Sequence, residues 1–216
     1  MVRLFVGTFL EPHERNLIAA LPEKHVFPES LTNRKIRWIS PEKLHMTWVF
    51  IGEVQEESIK PIAEALTSSI KEYLKLAVSK MEVPSIKFDR IAIWPNKRNA
   101  RHLVITASRQ ENAFRQLSHS IRKSMIPFCQ GVQEEKFRPH ITLFRISRKI
   151  LTTSTPDLIA ESGFDYNRFA SEVMTIKSSI EPLVLRLNSV HLVASHLGSP
   201  VDAYQSLHSF SIRRED

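Results

Sequence analysis

The sequence contains nearly the same phrase twice, and this repeat constrains the fold more than any other feature. HMTWVF occupies residues 45–50 and HITLFR occupies residues 140–145, so each copy reads His, apolar, Thr, apolar, apolar. Both copies lie in runs rich in β-branched and aromatic residues, which are typical of strands. Side chains two positions apart on a strand share a face. Each phrase should therefore present an imidazole beside a hydroxyl, with its apolar side chains on the opposite face.

The rest of the pattern predicts an α+β fold. Two long segments, 56–78 and 113–125, have apolar residues at the spacing of amphipathic helices, and a shorter helix is expected at 13–21. The basic segment 32–38 and the Ser/Thr-rich segment 147–170 are expected to be loops. Strands mixed with two long helices favour two related lobes over a doubly wound parallel sheet. The expected strands are 2–10, 44–52, 88–94, 102–106, 137–146, 174–180, 183–193 and 203–212.

Composition limits the class of protein. The 216 residues include one cysteine, Cys129, so an intrachain disulfide framework is excluded and a reducing compartment is favoured. No apolar run approaches the roughly 20 residues of a membrane span, and the N-terminal run is too short for a signal peptide. We therefore expect a cytoplasmic protein that does not bind membranes. The net charge of +7 fits a nucleic-acid partner, although a solvated basic surface would give the same value.

Three interpretations of the repeated phrase compete. The histidines are structural, they bind a metal, or they catalyse proton transfer. Catalytic zinc usually has three protein ligands, and neither H-E-x-x-H nor C-x-x-C occurs here, so we expect no metal and no cofactor. A matched pair of histidines fits acid–base chemistry better, because one imidazole can accept a proton while the other donates one. Cleavage of a phosphodiester requires both transfers, and it also requires the phosphoryl charge to be stabilised. Thr47, Thr142 and Arg145 are suited to that second task.

These residues resemble a known family. Two H-x-T-x motifs about a hundred residues apart are the signature of the 2H phosphoesterase superfamily. Within it the chain is similar to the RNA 2′,3′-cyclic phosphodiesterases, which are also called 2′-5′ RNA ligases. RLFVGTFLEP at 3–12, RWISPEKLHMTWVFIGEV at 37–54 and FRPHITLFR at 137–145 carry the resemblance, and it extends over nearly the whole chain. Trp48 departs from the pattern, because a smaller aliphatic residue is expected there.

The resemblance implies a fold and a function. The fold would be one domain, 1–216, made of two intertwined lobes related by a pseudo-twofold axis, each with mainly antiparallel sheet and helices outside a central cleft. His45 and His140 would be the catalytic acid–base pair, and Thr47, Thr142 and Arg145 would bind the phosphate. A monomer would open RNA-type 2′,3′-cyclic phosphate ends to 2′-phosphates without a metal, and reverse 2′-5′ ligation is possible.

Several alternatives stay open at this point. The chain would instead be a non-catalytic module that binds RNA ends, or a phosphodiesterase for 2′-5′ linkages or small cyclic nucleotides. Phe50, Trp94 and Phe144 are aromatic residues that either stack on a base or fill the core, and the core is favoured for Phe144. Two basic clusters, 34–37 and 97–101, either follow an RNA backbone or form solvated turns. The sequence does not assign the acid and base roles to particular histidines.

Overall fold

The computed structural model describes residues 1–21, 36–76, 83–95, 101–130, 137–146, 171, 173–176, 181–196 and 204–212. Three helices longer than one turn are present in these ranges: α1 (Pro12–Ala19), α2 (Ile59–Leu76) and α3 (Asn112–Met125). The strands are β1 (Val2–Phe9), β2 (Ile36–Trp38), β3 (His45–Val54), β4 (Ser85–Phe88), β5 (Arg90–Trp94), β6 (His102–Thr106), β7 (His140–Ile146), β8 (Leu183–Arg186), β9 (Ser189–Ser195) and β10 (Tyr204–Ser211). None of the described helices combines the length and the hydropathy of a membrane span.

One large antiparallel sheet organises the described residues. Its strand order is β10-β9-β1-β3-β7-β6-β5, with β2 beside β7, and β4 pairs with β8 in a separate two-stranded sheet. The two strands that carry the repeated phrase, β3 and β7, are neighbours at the centre of the large sheet. Their register pairs Met46 with Ile141. β6 pairs with one edge of β7. The other edge of β7 pairs first with β3 and then with β2, where Trp38 lies opposite Phe144.

The long helices cover one face of this sheet. The apolar stripe of α2 and that of α3 are buried, and the helices meet where Ser69 and Ser120 share a hydroxyl hydrogen bond of 2.9 Å. Trp48 of β3 stacks on Phe114 of α3 with 5.2 Å between ring centroids. Residues on this side, including Met46, have no solvent exposure, so this face of the sheet is the core.

Trp48 fits its unexpected position because it has both apolar and polar partners. Its ring also stacks on Phe137, and its indole N–H donates to the Thr8 hydroxyl at 2.9 Å. Thr8 in turn donates to the Ser189 carbonyl at 2.8 Å, which connects three strands through one buried chain of hydrogen bonds. A buried indole N–H usually requires such a partner.

The α+β class with mainly antiparallel sheet is confirmed, whereas the bilobal duplication and the single domain over 1–216 stay predictions. Two segment predictions are wrong. The basic segment 32–38 was expected to be a loop, but 36–38 form β2, because β7 offers an unpaired edge that no local pattern reveals. The run 174–180 was expected to be a strand, but 173–176 are helical, with Val173 and Ile176 buried three residues apart.

Two expected strands are each divided between the two sheets. The run 183–193 forms β8 in the small sheet and β9 in the large sheet, with Leu187 and Asn188 between them. The run 88–94 is divided at Asp89: Phe88 ends β4 and Arg90 begins β5, so the two parts belong to different sheets. Asp89 marks this change of direction, and its carboxylate accepts hydrogen bonds from the backbone N–H and the hydroxyl of Ser108. The predicted loop at 147–170 lies outside the described residues.

Candidate active site

The pairing of β3 with β7 brings both His-x-Thr phrases onto one surface. Opposite residues in an antiparallel pair point to the same face, so Met46 and Ile141 share the core face. The neighbouring positions then share the other face, where the register sets His45 beside Thr142 and His140 beside Thr47. All four side chains are half-buried, in contrast to the fully buried residues between them. The sheet thus presents two imidazoles and two hydroxyls together, and we call this surface the histidine face.

Matched β-bulges bring two further predicted residues to the histidine face. In an unbroken strand, a residue five positions after a histidine points to the opposite side. Here the register shifts by one residue in the same place in both strands, at Trp48 in β3 and at Leu143 in β7. Phe50 therefore pairs with Phe5 of β1, and Arg145 pairs with His102 of β6. Both Phe50 and Arg145 are exposed on the same side as the histidines.

The two imidazoles are held in the same tautomer by equivalent hydrogen bonds. Nδ1–H of His45 donates to the Lys43 carbonyl at 2.7 Å, and Nδ1–H of His140 donates to the Arg138 carbonyl at 2.9 Å. A carbonyl only accepts, so the proton of each neutral ring lies on Nδ1. Nε2 of each ring is then the atom that accepts or delivers a proton.

Aromatic side chains surround His45. The rings of Phe5 and Tyr204 lie 4.9 Å and 5.1 Å from its imidazole, and that of Phe9 lies at 6.0 Å. The pKa of His45 is lowered to about 4, mainly because burial among these groups disfavours the charged form, and the positive charges of His140 and Arg145 act in the same direction. The Lys43 carbonyl opposes this effect. His45 is therefore neutral at neutral pH.

His140 has a different environment. Trp94 of β5 contacts its imidazole with 4.3 Å between ring centroids. Burial lowers the pKa of His140, and the hydrogen bond to the Arg138 carbonyl opposes that shift. The two rings are tilted by 46° to each other, and a charged imidazolium gains from contact with the electron-rich face of an aromatic ring. The two histidines are thus alike in position and tautomer but differ in their neighbours.

Arg145 belongs to a cationic part of the histidine face. It lies opposite Arg37 across the β2–β7 pair and opposite His102 across the β6–β7 pair. The pKa of His102 is lowered by burial and then by the charge of Arg145. Like charges directly opposite each other on a sheet repel, so an anion placed here would relieve the repulsion. Of the two basic clusters predicted from the sequence, Arg37 and Arg101 are described, and the other members lie outside the described residues.

The structure separates the three candidate stacking aromatics. Phe144 has no solvent exposure and packs edge-on against Trp38, so it is a core residue as favoured. Phe50 is 38% exposed, and the Arg3 guanidinium lies 4.7 Å from its ring centre. Trp94 is half-buried beside His140. A role for Phe50 in base stacking stays a prediction.

Sequence reasoning missed the aromatic enclosure of His45. Phe5 and Phe9 come from β1 and Tyr204 comes from β10, so no motif near residue 45 announces them. The only available signal was the alternation in VRLFVGTFL, which places both phenylalanines on one face. Gly7 lies between them, opposite Thr47, and a Cβ there would come within 2.9 Å of the Phe5 ring.

Comparison with known proteins adds independent information. A family model for LigT-like phosphoesterases matches residues 24–104, which include His45 but not His140. Over these residues the chain is similar to LigT-like phosphoesterases. The predicted resemblance is therefore confirmed, and it extends to curated relatives that are named RNA 2′,3′-cyclic phosphodiesterase. The protein from Archaeoglobus fulgidus is 26% identical over 149 residues, which cover 68% of this chain and 74% of the relative. The protein from Aquifex aeolicus is 26% identical over 152 residues, covering 68% and 71%.

Solved structures share the LigT-like fold over the whole chain. The apo form of Escherichia coli LigT superposes with a TM-score of 0.62 at 20% identity, covering 99% of this chain and 98% of LigT. A protein of Thermus thermophilus gives a TM-score of 0.61 at 22% identity, covering 99% and 100%. At these identities the likeness concerns the fold alone. Among the residues that the structure describes, no three His, Cys, Asp or Glu side chains converge as metal ligands would.

Proposed function

We propose that this protein hydrolyses RNA-type 2′,3′-cyclic phosphates to 2′-phosphates, with His45 and His140 as the acid–base pair. The observation that carries the proposal is the Met46–Ile141 register, which sets two Nδ1-tethered imidazoles and two threonine hydroxyls on one face. The names of the relatives support the substrate class.

The reaction balances with two proton transfers. A water molecule attacks the phosphorus of the cyclic phosphate, and its proton passes to the base. The bond from phosphorus to the 3′ oxygen breaks, and the acid gives that oxygen a proton, so the products are a 2′-phosphate and a 3′-hydroxyl. Each histidine exposes Nε2 for its transfer because Nδ1 is already engaged. One base and one acid of this kind contribute about 10²–10⁴-fold each in rate.

The unequal surroundings favour His45 as the base and His140 as the acid. Aromatic enclosure keeps His45 neutral, which is the form that accepts a proton from water. His140 contacts Trp94, whose ring stabilises an imidazolium. A bound phosphate raises the pKa of both histidines, because a nearby negative charge favours the protonated form. Bound substrate thereby favours the charged form of the acid.

Thr47, Thr142 and Arg145 are suited to hold the non-bridging phosphate oxygens. The hydroxyls lie on the same face as the histidines, and Arg145 returns to that face through the β7 bulge. A forked guanidinium binds two phosphate oxygens at once, and it stabilises the charge that accumulates in the transition state. The same site would catalyse 2′-5′ ligation if a 5′-hydroxyl took the place of water, because that hydroxyl would give its proton to the base and the 3′ oxygen would again receive one from the acid.

Substitution of each histidine tests the proposal. We expect His45→Ala and His140→Ala to lower kcat by about 10²–10⁴-fold on an RNA ending in a 2′,3′-cyclic phosphate. His196→Ala, at an exposed position after β9, is the matched control and should retain full activity. Full activity in both active-site variants would refute the paired mechanism. A wild-type protein that binds the cyclic end but never releases a 2′-phosphate would support the binding module instead.

A modified substrate separates the two roles. When the 3′ leaving oxygen is replaced by sulfur, the leaving group departs as a thiolate and no longer requires an acid. The activity of His140→Ala should then approach that of the wild type, whereas His45→Ala should stay slow. Recovery of His45→Ala alone would reverse the assignment of base and acid.

A further inference from the structure

A cavity of about 890 Å³ opens beside His140 and is not used by the chemistry described above. It runs between one face of α3, the end of β6 and the segment that leads into β7. We call it the basic trench. Its lining includes Trp94, Thr106, Arg115, Arg122, Lys123 and Arg138.

The basic trench is continuous with the site. Trp94 lines the trench and also contacts the imidazole of His140. Thr106 lies opposite His140 in the sheet and donates to the Pro139 carbonyl at 2.9 Å. Arg138 lines the trench, while its carbonyl accepts from Nδ1 of His140. A chain bound in the trench would therefore have its end at the reacting histidine.

Positive charge lines the trench on two sides. Arg115, His119, Arg122 and Lys123 lie on one face of α3, because each step from 115 to 119 and from 119 to 122 or 123 spans three or four residues. Arg138 faces them from the segment before β7. Among the lining residues that the structure describes, none is acidic. A concave surface lined by several cationic side chains attracts polyanions.

The cationic side chains of the trench differ in how they are held. One is fixed by contacts with the sheet, and two lie on the helix surface. The Arg122 guanidinium donates to the Trp48 carbonyl at 3.0 Å and lies 5.1 Å from the centre of the Phe137 ring. Its position is thus set by the core of the sheet. Arg115 and Lys123 lie on the helix surface, and eight residues of helix separate them by about 12 Å. They can contact different phosphates of one strand.

We propose that the basic trench binds the single-stranded RNA that precedes the cyclic phosphate end. This inference rests on the proposed function for the choice of substrate. Cations along a groove together with an aromatic side chain, here Trp94, are the combination by which proteins bind single strands, because phosphates contact the cations and a base stacks on the ring. The trench makes the enzyme prefer a cyclic end on an RNA chain to a free cyclic nucleotide.

The trench lies away from the reacting phosphorus, so its contacts are equally strong in the ground state and the transition state. Such contacts change KM and leave kcat unchanged. They also depend on salt, since each neutralised phosphate of a single strand contributes about −0.7 to the slope of log affinity against log salt. The effect should appear only with substrates long enough to enter the trench.

The test compares two double variants of equal charge change. Arg115→Glu/Lys123→Glu alters the trench, and Lys71→Glu/Lys75→Glu alters exposed positions on α2. The substrates are a ten-nucleotide RNA with a 2′,3′-cyclic phosphate end and a mononucleotide 2′,3′-cyclic phosphate. We expect the trench variant to raise KM for the RNA by about tenfold or more at low salt, with kcat unchanged and with normal kinetics on the mononucleotide. The α2 variant should stay within about twofold of the wild type on both.

Failure of this inference is distinguishable from failure of the proposed function. If wild-type protein turns over neither substrate, fluorescence anisotropy of the same RNA still measures its binding to the trench. Equal losses of RNA affinity in the two double variants would show a diffuse charge effect and overturn the proposal. An unchanged KM and an unchanged affinity in the trench variant would overturn it as well.

Discussion

The pKa of His45 predicts how the stability of the protein depends on pH. The unfolded imidazole titrates near 6.5 and the folded one near 4, so between these values the unfolded chain binds a proton that the folded protein does not. Stability is therefore lost as the pH falls below 6.5. Linkage gives a loss from His45 alone of about 2 kcal/mol at pH 5 and about 3 kcal/mol at pH 4, because one pKa unit corresponds to about 1.4 kcal/mol.

The measurement is urea unfolding of the wild type and of His45→Gln at pH 7, 6, 5 and 4. The difference between their free energies of unfolding removes the other titrations, including those of His102, His140 and His191, whose pKa values are also lowered by burial. We expect the wild type to lose about 3 kcal/mol relative to the variant between pH 7 and pH 4. A loss of stability in the variant at pH 7 is common to all four pH values. The change with pH in the difference between the two proteins therefore reports the titration of His45.

A difference in stability that stays constant from pH 7 to pH 4 would refute the reasoning. So would an NMR titration that places the pKa of His45 near 6.5 in the folded protein. Either result would mean that Phe5, Phe9 and Tyr204 do not exclude water from the imidazole. The case for His45 as the base would then lose its physical support.

Three further predictions concern the buried Trp48, the cationic Arg145 and the response to a chelator. Trp48→Phe should lower the free energy of unfolding by about 1–3 kcal/mol in urea titrations, because the buried Thr8 hydroxyl loses its donor and the ring contacts shrink; an unchanged value would contradict this account. Arg145→Met should raise the pKa of His45 and of His102, measured by NMR, because a positive neighbour is removed. It should also lower kcat/KM by about 10–100-fold. Unchanged pKa values would show that the guanidinium does not lie near these two imidazoles. EDTA should leave the rate unchanged, because two imidazoles perform the proton transfers; a loss that added zinc restores would favour a metal mechanism.

The paired phrase was readable from sequence because its chemistry is local to each strand. Alternation placed His45 with Thr47 and His140 with Thr142, and the structure keeps each pair on one face. The two amphipathic helices were readable for the same reason. The sequence did not predict β2, because that strand forms only by pairing with the free edge of β7. It did not predict the helical turn at 173–176 either, because the local pattern does not show that Val173 and Ile176 are both buried.

The face of the sheet on which Arg145 and Phe50 lie could be determined only from the tertiary structure. Strand alternation alone puts a residue five positions after a histidine on the core side, and only the bulges at Trp48 and Leu143 reverse this. Bulges form where neighbouring strands shift register, so they depend on β1 and β6 as much as on the motif strands. The asymmetry between the two copies has the same origin, because distant strands supply the aromatic enclosure of His45 and the Trp94 contact of His140.

The sequence by itself determined which groups are present and which of them share a strand, because backbone geometry repeats every two residues. Only the tertiary structure decided that the two strands are neighbours, that their histidines have unequal surroundings, and that the basic side chains of α3 line the trench beside His140. These properties come from contacts between residues far apart in the chain, which pack together only after the sheet has formed.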